Sequence, residues 1–224
     1  MKHILFVVSG HATMGGGKPA GCYIPELVQP YYVMRDRNIE VDFTSPGKDG
    51  PALVGTDVKD PELVKLLSNR RVMGQLLNAV QPSKIDADKY DAIFYTGGHG
   101  GMFDFPGDKN LIEIAEHLYA KGKLVTAMCH GPAGLLNLKD SSGEYLVKGH
   151  RVTGYSRSEE IYFDTLLDVP FVLGEALEER GAIYSGYCIN QGHVIDDGQI
   201  ITGQNPMSAQ LVGNTIADKL MKND

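Results

Sequence analysis

The sequence is short of cysteine, has no block of basic residues and no long apolar run, and each shortage removes a class of protein. Its three cysteines among 224 residues, Cys22, Cys129 and Cys188, are odd in number and lack zinc-ligand spacing, so neither a disulfide framework nor a metal site is expected. A formal charge of −7 without a Lys/Arg-rich tail argues against a dedicated nucleic-acid binder, which needs cations to neutralise phosphates. No apolar stretch approaches the roughly 20 residues of a spanning helix, so no membrane partner is expected, and "MKHILFVVSG" is too short for a secretory leader. A reducing cytoplasmic location is the expectation. Repeats, low-complexity tracts and linkers are also missing, and with 42% hydrophobic residues one core can form, so a single domain over residues 1–224 is expected.

What is present is an alternation of short apolar runs with longer amphipathic segments. The runs "HILFVV" from His3, "VDFTS" from Val41, "DAIFYT" from Asp91 and "KLVTAM" from Lys123 read as buried strands. "AIYS" from Ala182 reads as a further strand, and "HVIDDGQIIT" from His193 as a hairpin turning at Asp197-Gly198. Helical spacing appears from Pro25, Pro61, Asn110, Glu159 (through Leu167) and Phe171, and again from Asn205, an N-cap followed by proline. This is the βαβ pattern of an α/β fold: a doubly wound, mostly parallel sheet sandwiched by helices. Residues 46–89 exceed a simple crossover and predict an inserted helical cap over one sheet edge, roofing a pocket.

The chemistry gathers at strand ends. In "LVTAMCHGPAG", Leu124–Gly134, Cys129 stands where a buried strand turns at once into a helix, the layout of a nucleophile elbow. A helix N-terminus beside the sulfur would lower the thiol pKa below that of a free cysteine. Cys22 and Cys188 have no such setting and read as structural. "YTGGHGG" after the preceding strand supplies Gly97, Gly98, His99 and Gly100, a turn able to aim amides at a substrate oxygen, with His99 as pocket wall. It lacks the Lys-Ser/Thr ending and the spacing of a phosphate loop. Glu26, near the start of its helix, could share a proton with Cys129, although such glutamates are commonly solvated first-turn residues. His3, His117, His150 and His193 are scattered without ligand spacing.

These segments, with "YIPELVQPYYVMRDRNIEVDFTSP", "DPELVKLL" and "VTGYSRSEE" in the same order, resemble the ThiJ/PfpI superfamily and its flavodoxin-like, class I glutamine-amidotransferase-like fold over nearly the whole chain. The nearest branch is that of small heat-shock-inducible, chaperone-like proteins with glutathione-independent glyoxalase (glyoxalase III) activity. The resemblance implies Cys129 as nucleophile, His130 as neighbouring acid/base, Glu26 as the carboxylic acid beside the thiol, and an acidic partner for His130 at Glu160 or, one position earlier, Glu159. It implies a cofactor-free lyase acting on methylglyoxal or glyoxal through a Cys129 hemithioacetal and an enediol, with no metal, and a homodimer. Protein deglycation is implied as a further activity. The chain is shorter than the larger bacterial chaperone members. A holdase, a cysteine oxidation sensor and a cysteine amidase or peptidase remain alternative readings, because the same thiol and histidine would serve the last of these.

Overall fold

The computed structural model describes residues 1–222. Its strands are β1 (His3–Val7), β2 (Cys22–Tyr23), β3 (Glu40–Thr44), β4 (Leu53–Val54), β5 (Ala92–Tyr95), β6 (Leu124–Met128), β7 (Arg151–Val152), β8 (Ile183–Tyr184), β9 (Val194–Asp197) and β10 (Ile200–Gly203). Its α-helices are α1 (Ile24–Asp36), α2 (Pro61–Ser68), α3 (Arg70–Leu77), α4 (Gly101–Asp104), α5 (Lys109–Ala120), α6 (Arg157–Tyr162), α7 (Leu173–Glu178) and α8 (Ala209–Lys222). The main sheet runs β3-β1-β5-β6-β10-β9, parallel except for the antiparallel β9–β10 hairpin. This is the doubly wound α/β fold expected from the sequence.

Strand periodicity divides the interior into two cores. Ile4, Phe6 and Phe94 face a layer holding α1, α2, α3 and α8, whereas Leu5, Val7, Ile93 and Tyr95 face α4, α5 and α7. Both faces of the parallel strands are buried, which is why they read as unbroken apolar runs. At the hairpin, Gly198 takes φ of 70°, a left-handed value suited to glycine.

Four sequence expectations change. "AIYS" does not join the main sheet: β8 pairs β7 in a two-stranded ribbon, with Ile183 exposed, so the burial of a central strand is missing. The helix expected from Glu159 to Leu167 ends at Tyr162, because Thr165 turns back and donates its amide to the Glu160 carbonyl. The turn after Cys129 is a 3-10 helix over Gly131–Leu135, shorter than the α-helix expected there. Residues 46–89 do hold helices, α2 capped by Asp60 and α3 capped by Asn69, but these bury Leu63, Leu66, Val72 and Leu76 along the β3 edge and α1. Only Val54 of that segment reaches the pocket described below, so the expected roof is not there.

Candidate active site

Cys129 follows the last residue of β6 and adopts φ of 56°, a left-handed conformation that a side chain with Cβ enters at an energetic cost. The strain is held by its neighbours: the Cys129 amide donates to the Gly203 carbonyl at 2.9 Å, and its carbonyl accepts from the Tyr155 amide at 2.8 Å. The elbow read from the sequence therefore exists as backbone geometry, and it presents a thiol only 4% exposed.

His130 lies beside it. Its Nδ1 is 3.3 Å from Cys129 Sγ, and its Nε2 is 2.8 Å from Glu160 Oε1. The ring is held between His99, at 3.9 Å between ring centroids, and Tyr155, at 4.4 Å. Burial above all, with His99 adding to it, lowers the His130 pKa from 6.5 to about 4 against the pull of Glu160. Burial opposes charge on Glu160 too, but hydrogen bonds from His130, His99 and Thr165 prevail and hold it below the usual carboxylate range. A neutral imidazole beside a carboxylate places its proton on Nε2, donated to Glu160, and leaves Nδ1 bare toward the sulfur. His130 is thereby set as a base for Cys129.

The same geometry separates the two adjacent glutamates. Glu160 serves His130, and its second oxygen meets His99 Nε2 at 3.4 Å and accepts from the Thr165 hydroxyl. Glu159 completes the Ser156 capping box of α6 and accepts from Gln204 Nε2 at 3.0 Å and Asn205 Nδ2 at 2.7 Å. His99, His130 and Glu160 also bring three possible metal-ligand atoms within 4.8 Å of one another, and here the two histidines hydrogen-bond to the carboxylate, His99 at Oε2 and His130 at Oε1.

Glu26 is not the solvated first-turn glutamate that its position in α1 suggests. It is fully buried, and neither carboxyl oxygen has a hydrogen-bond partner among the described residues. The Tyr23 amide donates to the Gly97 carbonyl at 3.1 Å, which ties the start of α1 to the glycine loop and lays the Glu26 carboxyl over Gly97. A Cβ at Gly97 would stand 1.8 Å from Glu26 Oε2 and 2.9 Å from Cys129 Cβ, so only glycine lets these side chains meet there. Burial raises the Glu26 pKa from 4.5 to about 8, while contact with Cys129 works the other way. The thiol is pushed well above its usual value, first by burial and then by Glu26, and only the Gly98 amide favours the thiolate. This reverses the lowered thiol pKa expected from the sequence: a short 3-10 turn does not outweigh burial next to a carboxyl group. The resting pair is a neutral thiol beside a neutral acid.

The cavity above these groups has a volume of about 300 Å³. Gly98 and His99 line it together with Cys129, His130, Glu26, Tyr155 and Glu159. Gly97 and Gly100 do not: Gly97 is covered by Glu26, and Gly100 donates its amide to the Gly21 carbonyl at 3.2 Å in a close contact of two loops. Sequence reasoning missed Tyr155, Thr165 and the walls Tyr23, Val54, Phe163, Asn190 and Pro206, because their approach to the site depends on tertiary packing. Cys22 is buried with its pKa raised to about 12, chiefly by burial, and is structural as expected. Cys188 is exposed rather than structural. No helix among the described residues is long and apolar enough to cross a membrane.

The chain is similar to known proteins over nearly its whole length. The chain is 33% identical to glyoxalase 3 of Candida albicans, covering 93% of this chain and 94% of that protein. It is 31% identical to a glutathione-independent glyoxalase of Saccharomyces cerevisiae, covering 93% of each. Among solved structures it superposes on the rapid encystment protein of Francisella tularensis with a TM-score of 0.94 and 34% identity, covering 98% of this chain and 99% of the other. Residues 24–219 match the model of the DJ-1/PfpI family, which spans Glu26, Cys129, His130 and Glu160. The chain belongs to the DJ-1/PfpI family.

Proposed function

We propose that this protein is a glutathione-independent glyoxalase that converts methylglyoxal to lactate, and glyoxal to glycolate, with its own thiol in the place of the glutathione thiol. The observation that carries the reading is the fully buried Glu26 carboxyl, with no partner but the Cys129 thiol beside it. An amidase or peptidase needs a nucleophile, a base and an orienting acid, which Cys129, His130 and Glu160 would supply. It has no use for a second, neutral acid at the sulfur. Moving a proton between adjacent carbons does.

In this mechanism His130 Nδ1 takes the Cys129 proton as sulfur bonds to the aldehyde carbon, while Glu26 protonates the aldehyde oxygen and becomes a carboxylate. The amides of Gly98 and His130 hold that oxygen. Glu26 then removes the hydrogen of the former aldehyde carbon while His130 gives the proton taken from Cys129 to the ketone oxygen, which makes an enediol and frees His130 as a base. Glu26 returns its proton to the neighbouring carbon and takes back the hydroxyl proton of the former aldehyde oxygen, which leaves a lactoyl thioester on Cys129 and Glu26 protonated again. Water activated by His130 cleaves it, releasing lactate and the thiol. The sum is methylglyoxal plus water giving lactic acid, with no net oxidation.

Rapid quenching and mass spectrometry of the intact protein test this: during turnover Cys129 should carry an added mass equal to one methylglyoxal, and a burst of peptide or amide hydrolysis without that adduct would favour the amidase. A homodimer in a reducing compartment belongs to the same proposal. Ile161, Tyr162 and Leu167 offer exposed apolar surface for it, and light scattering after size exclusion would read the mass.

A further inference from the structure

The cavity is larger and more apolar than the substrates named above require. Methylglyoxal takes the place of about three or four water molecules of roughly 30 Å³ each, well under half of the 300 Å³ available. Of the polar groups of the lining, Cys129, His130 and Glu26 belong to the reacting constellation and the Glu159 carboxylate accepts four hydrogen bonds from Ser156, Gln204 and Asn205, while Tyr23, Tyr155 and Asn190 are uncharged. Much of the rest is carbon, from Pro19, Ala20, Val54, Phe163 and Pro206, and no lysine or arginine lines the cavity. A phosphate or carboxylate on the substrate would therefore enter a pocket that holds two glutamates and no cation, at a desolvation cost with nothing to offset it.

We infer that the site accepts uncharged 2-oxoaldehydes whose ketone bears a larger apolar group, an alkyl chain of about four to six carbons or a phenyl ring, seated against Val54, Phe163 and Pro206. This rests on the glyoxalase reading for its chemistry and on the cavity alone for its size and polarity. Since the alkyl carbons beyond the first are remote from the reacting carbons, they are bound equally before and in the transition state, so along the alkyl series the effect falls on KM and leaves kcat nearly level. Phe163 is half-exposed, so burial along this wall is partial, and each added methylene should raise kcat/KM about twofold to fourfold until the wall is covered.

The test uses the full chain carrying Cys188→Ser, because the exposed Cys188 would otherwise react with thiol reagents. Steady-state kinetics compare methylglyoxal, 2-oxopentanal, 2-oxoheptanal and phenylglyoxal with 4,5-dioxopentanoate, which matches 2-oxopentanal in chain length and adds a carboxylate. The expected result is a rise along the alkyl series through KM, with phenylglyoxal above methylglyoxal and the dioxopentanoate below it. Phe163→Ala should reduce the phenylglyoxal to methylglyoxal ratio severalfold. A second readout is free of the catalytic step: N-alkylmaleimides from ethyl to heptyl should label Cys129 at rising rates. Rates that are flat or fall with chain length, with methylglyoxal still turned over, overturn the apolar subsite and leave the glyoxalase reading intact. Rising maleimide rates with no oxoaldehyde turnover overturn the glyoxalase reading and support the subsite.

Discussion

Glu26 is removed from water with only the Cys129 thiol beside its carboxyl, and burial moves its pKa from 4.5 to about 8. Between those values the folded chain keeps a proton that the unfolded chain gives up, so this group's contribution to stability falls as pH rises through that window. At about 1.4 kcal/mol per pKa unit the change between pH 5 and 8 is on the order of 3 kcal/mol. Glu26→Gln cannot titrate. Urea unfolding of both proteins should show the variant gaining on the wild type by that amount from pH 5 to 8, and parallel pH dependences would show that Glu26 is not buried as an acid. In the same variant turnover should fall about 10²–10⁴-fold, the scale of a lost general acid–base group. Glu160→Gln should cost less, because it orients His130 and does not meet the substrate, so damage should rank Cys129, Glu26, His130, Glu160.

Helix α6 shows how one short element serves two purposes. Ser156 and Glu159 close a capping box at its start, Glu159 goes on to hold Gln204 and Asn205, and these bind the backbone of Tyr187 and Gln191 near the mouth of the pocket. Glu159→Gln sets an amide nitrogen against donors that a carboxylate had accepted, and we expect a loss on the order of 2–3 kcal/mol. Thermal melts would read it, and faster proteolysis within residues 186–192 should accompany it if this helix anchors that loop. The division of labour between Glu159 and Glu160 could not be read from "SRSEE", since adjacent helical residues differ only in direction, and direction depends on where α6 docks. Likewise the long strands were legible because burial on both faces leaves an apolar signature, whereas two-residue strands such as β2 and β8 leave none. Cys129 was legible from the elbow, and the part of His130 from the family resemblance. The rise in the thiol pKa was not, because it comes from the Glu26 carboxyl and from burial, both products of tertiary packing.

For the molecule as a whole, the sheet assembles the site from distant pieces: the β5 glycine loop, the β6 elbow, the first turn of α1 and the start of α6 meet at one end of the parallel strands. Their combined titration sets the working range. His130, its pKa lowered by burial to about 4, stays a free base at neutral pH and is lost as pH falls toward that value. Glu26 must begin protonated and is lost as an acid as pH rises past about 8. The profile of kcat/KM should therefore be a broad bell with limbs near 4 and 8, and Glu26→Gln should remove the alkaline limb from its residual activity. Stability adds an acid effect in the same direction, because His130 folds neutral and the unfolded chain binds its proton below about 6.5, so folding itself weakens as pH drops from there toward about 4.

The central claim is that the protein's own thiol replaces glutathione. Lactate formation from methylglyoxal, followed in buffer free of glutathione and of any other small thiol, tests it most directly when the wild type is set beside Cys129→Ser. The account predicts sustained lactate production by the wild type and none above background by a folded Cys129→Ser protein. Equal rates from the two, or a wild-type rate that appears only when glutathione is added, would contradict it.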